Sequence, residues 1–288
     1  MIKSLILISA VLLMIAFSTL LERNLLSLRQ SRKGPTVVGS WGLLQPFRDG
    51  LKLLTKREVL WKGRSSLLLV PSVILSCMFI FWLPLSNSIS LMNLGCLFIL
   101  AVGSLFSLCV LAVGWCGGRS YSFIGGLRAA AQMISYEVVL SFFILIFCCI
   151  DWSFNTFSLQ YFPGGLIRAL CCVFFLWILV VVAETNRAPF DISEGESELV
   201  RGFNVEYARV LFTMLFIREY GAIIAYRFLT SYFFFGSWKA VIIILIVILW
   251  VRSCFPRKRY DHLIILLWAY YFPLIIFLLI AWSWALLS

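Results

Sequence analysis

The sequence predicts an all-α, polytopic membrane protein with about eight transmembrane helices and an interfacial amphipathic helix. Of its 288 residues, 62% are hydrophobic and only 13% are charged, whereas about 25% of the residues in a soluble protein are charged. The apolar residues form runs of about 20, the length at which a helix crosses the roughly 30 Å hydrocarbon core of a bilayer. No Gly/Ser-rich or Pro-rich linker divides the chain, so we treat residues 1–288 as a single transmembrane domain.

Eight apolar segments are long enough to span the membrane. They lie near residues 2–22, 66–86, 92–115, 128–150, 166–185, 207–228, 238–254 and 263–287. The first has no small-residue cleavage site after its apolar run, so we expect a retained helix rather than a signal sequence. The sixth is the least regular, since four charged residues interrupt it.

Basic residues are divided unevenly between the two sides of the predicted domain. The loops after the first, third, fifth and seventh segments contain 19 of the 24 lysines and arginines; Lys3, Arg168, Arg227 and Lys239 lie on the other side. The positive-inside rule therefore places these loops in the cytoplasm or matrix and both termini opposite. The net charge of +11 reflects topology rather than nucleic-acid binding. Abundant Phe and Cys favour an organellar gene product, hence a mitochondrial inner-membrane protein with both termini in the intermembrane space.

The loop after the first segment contains the predicted interfacial helix. Glu22 and Arg23 end the first segment, and Pro35 interrupts helix formation after it. Within residues 43–60, Leu and Phe alternate with basic residues in a pattern that suits a helix lying in the membrane interface. An ordinary solvated connection is the alternative.

Motifs that hold metals and nucleotides do not occur. None of the nine cysteines forms a CxxC pair, and most lie in apolar runs, which favours buried structural roles over disulfides or iron–sulfur ligation. His262 is the single histidine, and neither GxGxxG nor GxxxxGK[ST] is present. We therefore expect no metal site and no nucleotide site.

Glu137 lies inside the fourth apolar segment. A carboxylate there is protonated or paired, because leaving water penalises its charged form. A proton-relay role is favoured. The alternative is a helix-end charge that reaches the interface with the help of Arg128.

The acidic stretch of residues 184–207 lies between two uncharged apolar runs. It carries six of the 13 acidic residues, namely Glu184, Asp191, Glu194, Glu196, Glu198 and Glu206. Glu184 and Arg187 are expected to pair at the end of a helix that Pro189 stops. Glu194 and Glu198 share a helical face, where like charges repel and favour shared protons. A solvated acidic loop is the alternative.

Two carboxylates at the sixth segment belong to a predicted polar path. Glu206 and Glu219 each precede a tyrosine and lie near Arg209 and Arg218, with which they can form ion pairs. Purely structural ion pairs are the alternative.

Several stretches resemble the family of subunit 1 of proton-pumping NADH–ubiquinone oxidoreductase, the respiratory complex I subunit that meets the peripheral arm. The most specific motifs are RKGP-x-x-VG, at residues 32–39, and ETNR-x-PFD-x-x-EGESELV-x-GFN-x-EY, at residues 184–207. IGGLRAAAQMISYEV and FPRKRYDHLIILLW extend the resemblance over nearly the whole chain. The membrane subunit of energy-converting hydrogenases shares the architecture but resembles these stretches less closely.

The resemblance implies a narrow ubiquinone chamber that is entered between the first, interfacial and sixth helices. It assigns quinone binding to Glu22, Arg23, Arg32, Arg187, Phe190, Asp191, Glu194, Glu196 and Glu198. It assigns a proton path toward the pump subunits to Glu137, Glu184, Glu206 and Glu219. These carboxylates would change protonation as quinone is reduced.

The resemblance also implies that the chain works only as a subunit of an H⁺-translocating NADH:ubiquinone reductase, with no catalytic residue of its own. Ubiquinone is then the substrate, this chain binds no cofactor, and FMN and iron–sulfur clusters belong to partner subunits. The implied partners are other membrane subunits, the quinone-site subunits of the peripheral arm and membrane lipids. A proton-coupled secondary transporter would require an inverted repeat and broken helices, and neither is evident. A purely structural anchor would leave Glu137 unexplained.

The chain departs from the family pattern mainly through extra arginines. Arg48, Arg201, Arg209 and Arg218 stand where the family has small or apolar residues, and Asn24 and Ser31 are further departures. We expect these arginines to clamp Glu198, Glu206 and Glu219 as ion pairs, or to contact lipid head groups or additional subunits.

Overall fold

The computed structural model describes residues 2–56, 94–155, 171–191, 202–204, 206–235 and 240–287. Every regular element in these ranges is helical. The α-helices are α1 (Ile2–Arg29), α2 (Gln45–Thr55), α3 (Gly95–Cys116), α4 (Ser120–Asp151), α5 (Cys171–Glu184), α6 (Arg209–Thr230), α7 (Ala240–Cys254), α8 (Tyr260–Ile265) and α9 (Phe272–Leu287). A π-helical turn at Ser231–Phe235 extends α6, another at Leu266–Tyr271 joins α8 to α9, and short 3₁₀ turns lie at Ser40–Gly42 and Gly202–Asn204.

The predicted all-α membrane architecture is confirmed. Within the described ranges, four helical stretches are long and apolar enough to cross a membrane: Ile8–Arg29, Gly95–Cys116, Ser120–Ile150 and Tyr260–Trp284. A fifth results if α6 and α7, which meet at a sharp bend, count as one span. The predicted segment 66–86 lies outside the described residues, and the segment 166–185 is described only from residue 171.

Two helix boundaries differ from the prediction. The first helix continues past Glu22 to Arg29, because the leucines that follow are good helix formers and no breaker intervenes. It ends before Ser31, whose φ of 55° departs from helical geometry. The helix predicted from residue 128 begins at Ser120. The turn that precedes it is formed at Gly118, which has a φ of 66°.

Helices α3 and α4 form a closely packed hairpin. A Cβ atom added to Gly114 would lie 2.7 Å from the Cα of Gly126, so the two helices cross with their backbones in contact. Small residues at such crossings are typical of membrane helix pairs. The close crossing makes α4 a fixed scaffold for the polar side chains that it carries.

An aromatic cluster joins α5 and the end of α6 to α4. Trp177 is fully buried, and its ring lies 5.7 Å from Phe143 and 5.4 Å from Phe233, measured between ring centroids. Phe147 stacks on Phe233 at 4.7 Å. These edge and stacked contacts hold the middle of α5 and the end of α6 beside the carboxyl-terminal part of α4.

The predicted amphipathic helix is α2, and none of its residues is fully buried. Phe47 contacts Phe17 of α1 with ring centroids 6.3 Å apart, and Asp49 pairs with Arg23 of α1 at 2.6 Å. Leu51 remains 64% exposed. Helix α2 thus lies against α1 with apolar side chains uncovered, as a helix in the membrane interface requires.

Candidate functional site

Glu22 is the centre of a buried ionic cluster that joins three parts of the chain. Its side chain is 8% exposed and pairs with Arg252 of α7 and, at 3.5 Å, with Arg187 after α5. The Arg187 guanidinium lies 4.6 Å from the centroid of the Tyr220 ring on α6. Two guanidinium groups therefore share one carboxylate, an arrangement in which loss of the carboxylate would leave buried charge behind.

Arg227 adds a further positive charge to this region. It is 5% exposed on α6 and lies within electrostatic range of Arg187. The loop count placed Arg227 on the charge-poor side, but here it belongs with the arginines around Glu22. Among the described residues, guanidinium groups outnumber carboxylates in this cluster, which favours a ligand or segment that carries negative charge.

The segment from Glu184 to Asp191 is anchored on α4 by Gln132. The Gln132 side chain is fully buried and donates from Nε2 to the carbonyl oxygens of Ala183, at 2.9 Å, and Phe190, at 3.0 Å. Both partners are acceptors, which fixes the orientation of the amide. Phe190 is 2% exposed and packs against the Tyr136 ring. One side chain of α4 thus ties both ends of the loop that carries Arg187.

The predicted partnership of Glu184 and Arg187 at the end of α5 takes a different form. Helix α5 ends at Glu184, and Asn186 turns the chain with a φ of 50°. Residues 184 and 187 therefore do not share a helical face. Arg187 pairs instead with Glu22. Asp191 is half-buried at the end of this described segment, and Glu194, Glu196, Glu198 and Arg201 lie outside the described residues.

Glu184 and Glu137 form a pair of carboxylates inside the helical bundle. Glu184 is 3% exposed, shares a hydrogen bond with Tyr226 of α6, and has Glu137 within electrostatic range. The second oxygen of Glu184 has no hydrogen-bond partner among the described residues. Two carboxylates within electrostatic range of each other oppose each other's ionisation, so a proton on one favours charge on the other.

The alternative of a helix-end charge at Glu137 is wrong. Because α4 begins at Ser120 and ends at Asp151, Glu137 lies near its middle. The neighbouring position on α3 is Gly103, where an added Cβ would lie 3.7 Å from the Glu137 carboxylate. The glycine leaves room for the carboxylate between α3 and α4.

Glu206 and Glu219 form an ion pair and a hydrogen bond, respectively, with residues other than the predicted arginines. Glu206 pairs with Arg119 at 3.2 Å, and Glu219 accepts a hydrogen bond from Asn204 at 3.1 Å. The predicted partners lie elsewhere: Arg209 donates to the Leu54 carbonyl of α2 at 3.0 Å, and Arg218 lies 3.7 Å from the centroid of the Phe106 ring. These contacts connect α6 to α2 and α3, and Arg218 also lies within electrostatic range of Glu184.

Tyr207 joins the segment before α6 to the end of α3. Its hydroxyl donates to the Val113 carbonyl at 2.5 Å. Burial, with smaller contributions from Cys116 and Glu206, raises the pKa of Tyr207 well above that of a free phenol. The hydroxyl therefore stays protonated and remains a donor at physiological pH.

The two remaining predicted chamber residues lie on the outside of the bundle. Arg23 pairs with Asp49 of α2, and Arg32 is exposed beyond the end of α1. Sequence reasoning missed Gln132, Arg119 and the pairing role of Arg252. A polar amide inside an apolar helix was the available signal for Gln132. Arg252 was counted among the loop charges, because nothing in the sequence placed it beside Glu22.

Comparison with known proteins gives one consistent result. A model of the family described as NADH dehydrogenase matches residues 2–283. A protein of Sminthopsis macroura named NADH-ubiquinone oxidoreductase chain 1 is 44% identical over 285 residues, covering 92% of this chain and 89% of its own. Proteins of the same name from Sarcophilus harrisii and Papio hamadryas are each 41% identical, over 95% and 97% of this chain and 92% and 94% of their own.

Proposed function

The chain belongs to the NADH dehydrogenase family, and from this membership we propose how it works as the membrane subunit of respiratory complex I. It forms much of the ubiquinone-binding chamber and the acidic path that couples quinone reduction to proton translocation. The chain acts within the assembled NADH:ubiquinone reductase and not alone. Whole-length identity with chain 1 proteins supports this reading over a hydrogenase subunit or a transporter.

The contacts of α2 with α1 and α6 support the proposed entrance of the chamber. Arg23 and Phe17 of α1 contact α2, and Arg209 of α6 bonds to the last turn of α2. Exposed leucines on α2 provide an apolar path for an isoprenoid tail. Glu22 is adjacent to Arg23 on α1, and its cluster with Arg187 supplies polar groups for a quinone head.

The electrostatic interaction between Glu184 and Glu137 inside the helical bundle is the main observation that supports the proposed proton path. Glu184 ends α5, and the next residues lead directly to Arg187 in the ionic cluster of Glu22. A change of charge at the quinone head would therefore act on both carboxylates. Two unit charges about 10 Å apart interact with roughly 1.7 kcal/mol at an effective dielectric of about 20, which is enough to shift a protonation equilibrium by about tenfold.

The same proposal covers the partners and the location of the chain. Electrons reach ubiquinone from FMN and iron–sulfur clusters held by partner subunits, and the chain itself binds neither. Its partners are other membrane subunits, the quinone-site subunits of the peripheral arm and lipids of the inner mitochondrial membrane. The uneven distribution of basic loops supports termini on the intermembrane-space side.

Neutral substitutions of the two bundle carboxylates test the proton path. In the assembled complex in proteoliposomes, Glu137→Gln and Glu184→Gln should each slow NADH–quinone reduction and reduce proton translocation, because neither amide can exchange a proton. Asp261→Asn is the matched control, since Asp261 is exposed and pairs only at the surface with Arg259. Full electron transfer and full pumping in both glutamine variants would refute the proton path.

A photoreactive ubiquinone tests the chamber separately. Its tail should label α1 and α2, and its head should label the segment from Glu184 to Asp191. Labels found only on other subunits would contradict the proposed chamber, even if the carboxylate variants behaved as expected.

A further inference from the structure

A groove runs between the carboxyl-terminal ends of α1 and α7 on the outer surface of the described bundle. Its volume is about 280 Å³, and it is lined by Leu25, Leu26, Leu28, Arg29, Ile246, Leu249, Trp250 and Ser253. Most of this lining is apolar, while Arg29 and Ser253 lie at the end where both helices finish. The groove is therefore apolar along its length and polar at one end.

Arg29 brings a positive charge to the polar end of the groove. Its guanidinium lies 6.0 Å from the centroid of the Trp250 ring and donates to the Cys254 thiol at 3.7 Å. Within the part of the chain that the structure describes, Arg29 has no carboxylate partner. A guanidinium with free donors suits a phosphate group, which it can bind with two parallel hydrogen bonds.

Several side chains that line the groove are exposed on the surface of this chain. Leu28 is 72% exposed, Trp250 62% and Ile246 48%. Tryptophan and arginine at the end of membrane helices are typical of the level at which lipid head groups lie. Exposed basic residues also follow both helices at this end, among them Arg32, Lys33 and Lys258.

We propose that this groove binds one anionic phospholipid, with its phosphate on Arg29 and one acyl chain along Leu25, Leu28 and Ile246. The volume lies just below the usual range of small-molecule sites, about 300–1,000 Å³, which suits part of a chain rather than a compact ligand. The positive charge of Arg29 distinguishes between a protein helix and an anionic lipid as occupants of the groove. A neighbouring apolar helix would cover the leucines but leave Arg29 without a counter-charge, whereas an anionic lipid satisfies both parts of the groove.

Photo-crosslinking in nanodiscs tests the site in the assembled complex. The probes are an anionic and a zwitterionic phospholipid that carry the same diazirine acyl chain, and the labelled peptides are identified by mass spectrometry. The anionic probe should label α1 near Leu28 and α7 near Ile246 more strongly than the zwitterionic probe. Arg29→Gln should reduce this labelling about fivefold, the effect of one interfacial basic residue, and Ile246→Trp should block it by filling the groove.

Arg259→Gln is the matched control, because it removes a basic residue that follows the same helix but pairs with Asp261. Its labelling should equal that of the unaltered complex. Equal labelling by the two probes, or labelling that Arg29→Gln leaves unchanged, would mean a non-specific lipid shell and overturn the proposal. The proposal would also be overturned if no lipid labels these residues and another subunit cross-links to them. A protein would then occupy the groove.

Discussion

Replacing Gln132 with leucine should release the segment that joins the two parts of the proposed site. Leucine has a similar volume but donates no hydrogen bond. The Phe190 carbonyl would lose its one donor among the described residues, whereas the Ala183 carbonyl would keep a bond from the amide of Asn186 at 3.2 Å. Orphaning a buried acceptor costs about 1–3 kcal/mol and losing one of two bonds about 0.5–1.5 kcal/mol, so the segment should lose about 1.5–4.5 kcal/mol.

Hydrogen exchange measures this loss directly. A weakening of about 1.5 kcal/mol makes local opening about tenfold more frequent, so peptides that cover residues 185–190 should exchange at least about tenfold faster in the assembled complex. The Lys258 amide, which donates to the Pro189 carbonyl at 3.0 Å, should exchange faster as well. Peptides from α9 should be unaffected, because the change is local.

Gln30→Leu is the matched control, since it makes the same chemical change at an exposed position. It should leave exchange in residues 185–190 unchanged. Unaltered exchange in Gln132→Leu itself would refute the reasoning, because the two hydrogen bonds would then not be what holds the segment. If exchange rises but quinone reduction and pumping stay coupled, the anchor is structural and does not transmit the quinone signal.

Three further substitutions test other contacts of the site. Glu22→Gln should destabilise the subunit by about 3–5 kcal/mol, because buried guanidinium charge loses its partner; a lower thermal midpoint of the complex would show this, and adding Arg252→Gln should restore part of it. Gly114→Leu should prevent assembly, seen on native gels, because the side chain would occupy the space of the Gly126 backbone. Arg209→Gln should raise the KM for ubiquinone about two- to fivefold at constant kcat. This factor corresponds to the loss of one exposed hydrogen bond between α6 and α2 at the proposed entrance.

Each of these three has an outcome that contradicts it. An unchanged thermal midpoint in Glu22→Gln would mean that the carboxylate does not compensate the arginines. Normal assembly of Gly114→Leu would mean that α3 and α4 cross less closely. A fall in kcat at constant KM for Arg209→Gln would place that residue in the catalytic step rather than at the entrance.

The all-α fold followed from the sequence because apolar runs of membrane-spanning length leave few alternatives. The boundaries followed less well, since they depend on single residues such as Gly118 and Ser31, whose positive φ values no periodicity reveals. The segment of α2 was recognisable because its alternation of leucine and basic residues is local. What is local in the chain was thus predicted, apart from helix ends.

The partners of the charged residues did not follow from the sequence, because they are set by contacts between distant helices. Glu22 and Arg252 are far apart in the chain, yet they pair. Arg209 and Arg218 were expected to pair with nearby glutamates, but Arg209 bonds to α2 and Arg218 lies on the Phe106 ring of α3. Proximity in sequence was a poor guide, since residues three or four apart meet only where the helix is continuous.

Among the described residues, the charge around Glu22 is predominantly positive. One carboxylate faces Arg187 and Arg252, with Arg227 near by, and buried charge costs several kcal/mol per ion unless it is compensated. Glu22 alone cannot balance three guanidinium groups. The sequence supplies more negative charge directly after Asp191, in residues 194, 196 and 198. If the quinone head binds beside this cluster, as we propose, the arginines would stabilise the negative charge that the quinone gains on reduction. On the same proposal, this change of charge would act on Glu184, which begins the segment that carries Arg187.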